Sequence, residues 1–77
     1  MREKIRIYII ESIINNESDI SFEDDLLNSG LIDSIGVIKL INYLEEEFSI
    51  QVPPEEMVIE NFVNIEAIAS FISNSKQ

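Results

Sequence analysis

The sequence predicts an all-α fold, a four-helix bundle of which the third helix is short and the first connection long. Two observations carry this expectation. Residues 2–15, 34–48 and 65–72 place apolar side chains at helical spacing, and Pro53-Pro54-Glu55-Glu56 opens a further short helix. The stretch between the first two helices, residues 16–33, is polar and aperiodic. Helices joined in this way bury their apolar stripes against one another. At 77 residues the chain makes one domain over 1–77, near the lower end of what folds without disulfides or metal.

The elements follow in order. Residues 2–15 carry Ile5, Ile7, Tyr8, Ile9, Ile10, Ile13 and Ile14. Their β-branched content also suits a strand, but fourteen residues without a breaker argue for a helix with a broad buried stripe, ended by Asn15-Asn16. The loop 16–33 is interrupted by apolar Phe22, Leu26 and Leu27, and a loop of this length in a small domain is usually functional. Asn28-Ser29-Gly30 reads as a turn in which Gly30 takes a positive φ. Asp33 is a good N-cap for residues 34–48, where Val37, Leu40, Ile41, Leu44 and Phe48 share one face. The short third helix is expected from Pro54 to Glu60. The last helix is capped by Asn64 and buries Ile65, Ile68, Ala69 and Ile72.

Charge narrows the function classes. Fifteen acids face five bases for a net charge of −10. Three of the bases, Arg2, Lys4 and Arg6, sit at the start, and between Ile7 and Ser75 the only base is Lys39. Such a surface repels nucleic-acid phosphates and anionic lipid and steers toward basic protein partners. The same acidity also serves to keep an isoleucine-rich chain in solution. The longest apolar run, Ile7 to Ile10, is too short to enter a bilayer, so a cytoplasmic monomer without membrane insertion is expected.

Catalysis and metal binding find little support. With no His and no Cys, Ser–His, Cys–His and zinc constellations are absent. Asp24-Asp25 reads as solvated loop surface rather than an acid–base pair. The segment from Asp24 to Gly30 fails as a calcium loop, with Leu26 and Ser29 where a ligand and the turn glycine belong. Two glycines, Gly30 and Gly36, build no phosphate cradle. The expectation is a protein that is not an enzyme and has neither catalytic residues nor a metal.

Attention then falls on Gly30-Leu31-Ile32-Asp33-Ser34-Ile35. A turn glycine, two apolar residues pinning the loop to the core and a capping Asp present Ser34 at the start of the long helix. First-turn N–H groups and the helix dipole make a phosphodiester on that hydroxyl favourable. Asp-Ser is also simply a common capping dipeptide. Helical geometry adds information, because Ile35 lies opposite the apolar face and Ile38 well to its flank. Exposed isoleucines on an acidic helix suggest a docking surface. Gly36 costs about 0.5–1 kcal/mol in a helix interior relative to Ala, less in a first turn, and would leave room beside Ser34.

The order of these parts, with Asp33-Ser34-Ile35 opening a helix that ends Leu44-Glu45-Glu46-Glu47-Phe48, resembles the acyl carrier protein family over essentially the whole chain. The resemblance implies that Ser34 receives 4′-phosphopantetheine from coenzyme A through a phosphopantetheinyl transferase. The thiol of that arm would hold an acyl or aminoacyl group as a thioester, supplied by an adenylating or acyltransferase loading enzyme and consumed by a downstream synthase or transferase. Asp33 and Gly36 would flank the cofactor. Ile35, Ile38, Lys39, Asn42, Glu45 and Glu46 would face partner enzymes.

Departures from the family pattern bear on the pathway. Gly36 and Lys39 stand where fatty-acid-synthesis carriers usually have acids. Asp33-Ser34-Ile35-Gly36 is instead similar to the pattern of D-alanyl carrier proteins. Glu60-Asn61-Phe62 before the last helix resembles discrete carriers of polyketide and nonribosomal peptide pathways. The expectation is a stand-alone carrier of that last type. The alternatives are a D-alanyl carrier for teichoic acid modification, a fatty-acid-synthesis carrier, or an unmodified acidic interaction module.

Overall fold

Ile5 and Ile9, spaced four apart, put two fully buried side chains on one side of the first helix and set its docking face. The computed structural model describes residues 1–14 and 19–75. Helix α1 spans Arg2–Tyr8 and runs directly into a π-helical segment, Ile9–Ile14. The sequence predicts one regular helix here. Four of the six residues in the second part are isoleucine, whose β-branches crowd the preceding turn and weaken the preference for α geometry. Ile7 also leaves the expected stripe and is 45% exposed, facing away from Ile5 and Ile9. The predicted stop at Asn15-Asn16 lies outside the described residues.

Helix α2, Ser34–Phe48, has the predicted bounds, with Leu40, Ile41 and Leu44 buried and Val37 and Phe48 packed against the core. Helix α4, Ile65–Ser75, buries Ile65, Ile68, Ala69 and Ile72 as expected. Its cap is Asn64, whose Oδ1 accepts from Ala67 N at 2.7 Å. Each buried Ile or Leu of these faces contributes about 1.5–3 kcal/mol.

The third helix differs from expectation. Pro54–Glu56 forms only a 3₁₀ turn, Met57 and Val58 leave helical geometry, and α3 covers Ile59–Phe62. A continuous helix would direct the Glu56 carbonyl to an amide one turn on. That carbonyl accepts instead from Asn61 Nδ2 at 2.8 Å, which closes the turn. Among the described residues the fold is therefore all-α, with four helices around one apolar core, as the sequence predicts.

The connection into α2 is held on both sides. Ile20, Leu26 and Ile32 enter the core. Leu26 N donates to Val63 O at 2.7 Å and Glu66 N to Phe22 O at 3.1 Å, tying the loop to the α3–α4 junction. Gly30 has the expected positive φ of 83°. Of the two residues expected to pin the loop, only Ile32 does so, and Leu31 is 40% exposed.

The basic start of the chain is spent on ion pairs. Arg2 Nε meets Glu66 at 2.8 Å, Lys4 Nζ meets Glu47 at 3.0 Å, and Arg6 pairs with Glu3 and Asp19. Tyr8 stacks on Tyr43 with ring centroids 4.0 Å apart, joining α1 to α2. No helix among the described residues is long and apolar enough to cross a membrane.

Candidate functional site

Asp33 builds the site from below. Its backbone is extended, its Oδ1 accepts from Gly36 N at 2.8 Å, and its carbonyl takes the first full α2 bond, from Val37 N at 2.9 Å. Ser34 follows as the first helical residue and is exposed. The amides of Ser34 and Ile35 have no intrahelical partner by virtue of their position, and they lie at the positive end of a fifteen-residue helix.

On one side of Ser34 an open groove of about 330 Å³ runs between α2 and the segment leading into α3. Leu27, Val37, Ile38, Ile41, Met57, Val58, Ile59 and Phe62 line it, with no charged side chain among them. Met57, Val58 and Ile59 are all exposed, which singles out three successive apolar residues at the rim. Sequence reasoning missed this wall. Its signal was the apolar run Met57-Val58-Ile59 set between acids, which a continuous helix over 54–60 would have distributed around its circumference.

The residues expected to face partner enzymes differ in exposure. Ile35 is 65% and Ile38 60% exposed, and Lys39, Asn42 and Glu46 are exposed along the same side of α2. Glu45 is half-buried, its Oε2 accepting from Val52 N at 3.0 Å. Glu47 is engaged by Lys4.

Gly36 differs from its expected use. A methyl group there would stand 2.8 Å from Cγ2 of Ile32, 3.0 Å from Cγ2 of Ile13 and 3.3 Å from Asp33 Oδ1. The space lies on the packed side of α2 and is already filled, so it gives no clearance beside Ser34.

The adjacent acids Asp24 and Asp25 shape the loop. Asp24 Oδ2 accepts from Ser21 N at 2.8 Å, and Asp25 Oδ1 accepts from Asn28 N at 2.8 Å and Leu27 N at 3.1 Å. Hydrogen bonds from Asn28, first its backbone and then its side chain, hold the Asp25 carboxyl below the usual carboxylate range. Among the described residues no group of acids is arranged to hold a metal ion.

Residues 7–72, which include all of α2, the groove and α3, match the family model described as "Phosphopantetheine attachment site". The chain belongs to this family. It is a carrier protein, and its prosthetic group is 4′-phosphopantetheine, held covalently. A D-alanyl carrier protein of Leuconostoc citreum (strain KM20) is 36% identical to the carrier over 50 residues, which is 65% of this chain and 64% of that protein. The carrier thus spans just under two thirds of the curated relative it matches.

Proposed function

We propose that Ser34 is the attachment residue and that residues 1–77 form one carrier domain that performs no chemistry of its own. The observation that carries this reading is the exposed Ser34 hydroxyl at the first turn of α2, bordering an uncharged apolar groove. These residues fit the prosthetic group. The free first-turn amides favour a phosphodiester there, and the groove offers an apolar wall to the chain leaving it.

Attachment requires a phosphopantetheinyl transferase and coenzyme A. The Ser34 hydroxyl oxygen bonds to the pantetheine-bearing phosphorus, and the pyrophosphate P–O bond breaks. Adenosine 3′,5′-bisphosphate leaves, and the hydroxyl proton passes to a base of the transferase. Once bound, the arm supplies a thiol that holds an acyl or aminoacyl group as a thioester.

The cargo is a small acyl or aminoacyl group, in a polyketide or nonribosomal peptide type of pathway within the cytoplasm. A dedicated adenylating or acyltransferase enzyme loads it, and a downstream synthase or transferase removes it. The similarity to a D-alanyl carrier protein favours a second reading, in which the cargo is D-alanine bound for teichoic acid. In both, an aminoacyl ammonium would stay out of the groove, whose lining offers it no charged partner.

The test is loading of the pantetheinylated protein by purified adenylating enzymes offered D-alanine or other amino acids, with the thioester read by intact mass. Selective loading with D-alanine supports the second reading, and selective loading with another acid supports the first. Absence of a thioester with both adenylating and acyltransferase enzymes would count against a loaded carrier.

A further inference from the structure

Gly36 stands in the first turn of a right-handed helix, where Ala is still preferred, though by less than the about 0.5–1 kcal/mol of a helix interior. Its backbone is not in the left-handed region, so conformational freedom does not explain the residue. Space does. The three atoms that a methyl group would meet come from three different places: Ile13 of the π-helical segment, Ile32 of the loop, and the cap Asp33. Ile32 cannot easily withdraw, being buried and holding Leu26 O through its own amide at 2.9 Å. The atom in question, Cγ2, branches directly from Cβ and has no flexible tether. Asp33 Oδ1, which receives the Gly36 amide, is the nearest polar atom.

We propose that Gly36 is a positioning residue for Ser34. Its bare Cα lets Ile32 and Ile13 close onto the first turn of α2, and that closure fixes Asp33 and the Ser34 hydroxyl in the orientation presented to the modifying enzyme. The inference rests on Ser34 being the attachment residue. A side chain at position 36 pushes the loop two residues before Ser34 and the cap one residue before it, while helix propensity alone would favour the change.

The experiment compares the apo forms of wild type, Gly36→Ala and Gly36→Ala/Ile32→Leu. Leucine keeps the volume of isoleucine but removes Cγ2, the atom struck by the new methyl. For each, kcat and KM for phosphopantetheinyl transfer are measured alongside hydrogen-exchange protection of the residue 36 amide. Gly36→Ala is expected to lose about tenfold or more in kcat with KM little changed and with reduced protection of that amide. The double variant recovers both. Wild-type kcat and protection in Gly36→Ala would overturn the proposal while leaving the attachment reading intact, as would a loss that Ile32→Leu does not restore. If Gly36→Ala does not fold, Ile13→Ala removes one wall without adding bulk. It is expected to lower kcat severalfold, and an unchanged kcat overturns the proposal. A wild-type chain left unmodified at Ser34 overturns the attachment reading and this proposal with it.

Discussion

The Glu45 carboxylate accepts a hydrogen bond from the Val52 amide at 3.0 Å, so this acid of α2 fastens the chain that follows the helix. Residues 49–52 leave α2 through Ser49, a left-handed C-cap with φ 55°, and then bury Ile50 and Val52. Without Glu45 the Val52 amide loses its acceptor. Glu45→Ala is therefore expected to lower unfolding free energy by about 1–2 kcal/mol, measured by urea denaturation. Glu46→Ala, on an exposed neighbour, should stay within about 0.5 kcal/mol and alter only rates with partner enzymes. Equal stability losses in the two variants would contradict this division.

Asp33 acts first as a cap. Asp33→Ala should cost about 1 kcal/mol, since it leaves the Gly36 amide without its acceptor. Asn caps as well as Asp, so Asp33→Asn should recover most of that stability. Comparing phosphopantetheinyl transfer to the two variants then separates the cap from the charge. A rate restored by Asn assigns the effect to geometry, and one still depressed assigns it to the carboxylate.

Asp25 gives the loop a pH dependence. Its carboxyl is held below the usual carboxylate range, mainly by hydrogen bonds from Asn28. A depressed folded-state pKa stabilises the fold above the unfolded-state value and loses that contribution as pH falls through the folded-state value. Asp25→Asn should remove this component, so its stability should fall less than wild type's as pH drops below about 4. Parallel acid limbs for the two proteins, followed by circular dichroism in urea, would rule out the assignment.

The apolar positions around Ser34 should divide by burial. Ile38→Glu alters a residue 60% exposed and should change stability by less than about 0.5 kcal/mol. It should still slow cargo loading about tenfold, because the loading enzyme loses an apolar seat. Lys39→Glu restores the acid usual in fatty-acid-synthesis carriers and should improve recognition by those enzymes while impairing the native loading enzyme. Equal rates with both enzyme sets would count against Lys39 as a discriminating residue.

The parts legible in the sequence were those written in a single element. The period and caps of α2 and α4 lie within a few residues of one another, so Asp33, Asn64 and the buried faces could be read directly. The turn at Gly30 is equally local. What could not be read depends on segments meeting. The side chain of Asn61 ends the 3₁₀ turn at Glu56 and thereby aligns Met57, Val58 and Ile59 along the groove. Glu45 finds Val52 only after the chain has reversed beyond α2. Gly36 looked like an opening beside Ser34 because its tertiary neighbour Ile13 is 23 residues away, in a segment whose π-helical hydrogen bonding an apolar period does not encode.

The central claim is that the arm sits on Ser34. The most direct measurement is peptide mapping by mass spectrometry after incubation with coenzyme A and a broad-specificity phosphopantetheinyl transferase. The expected result is one phosphopantetheine on the peptide containing Ser34, and none on Ser34→Ala. An arm on any other serine, or an unmodified wild-type chain, would contradict the account.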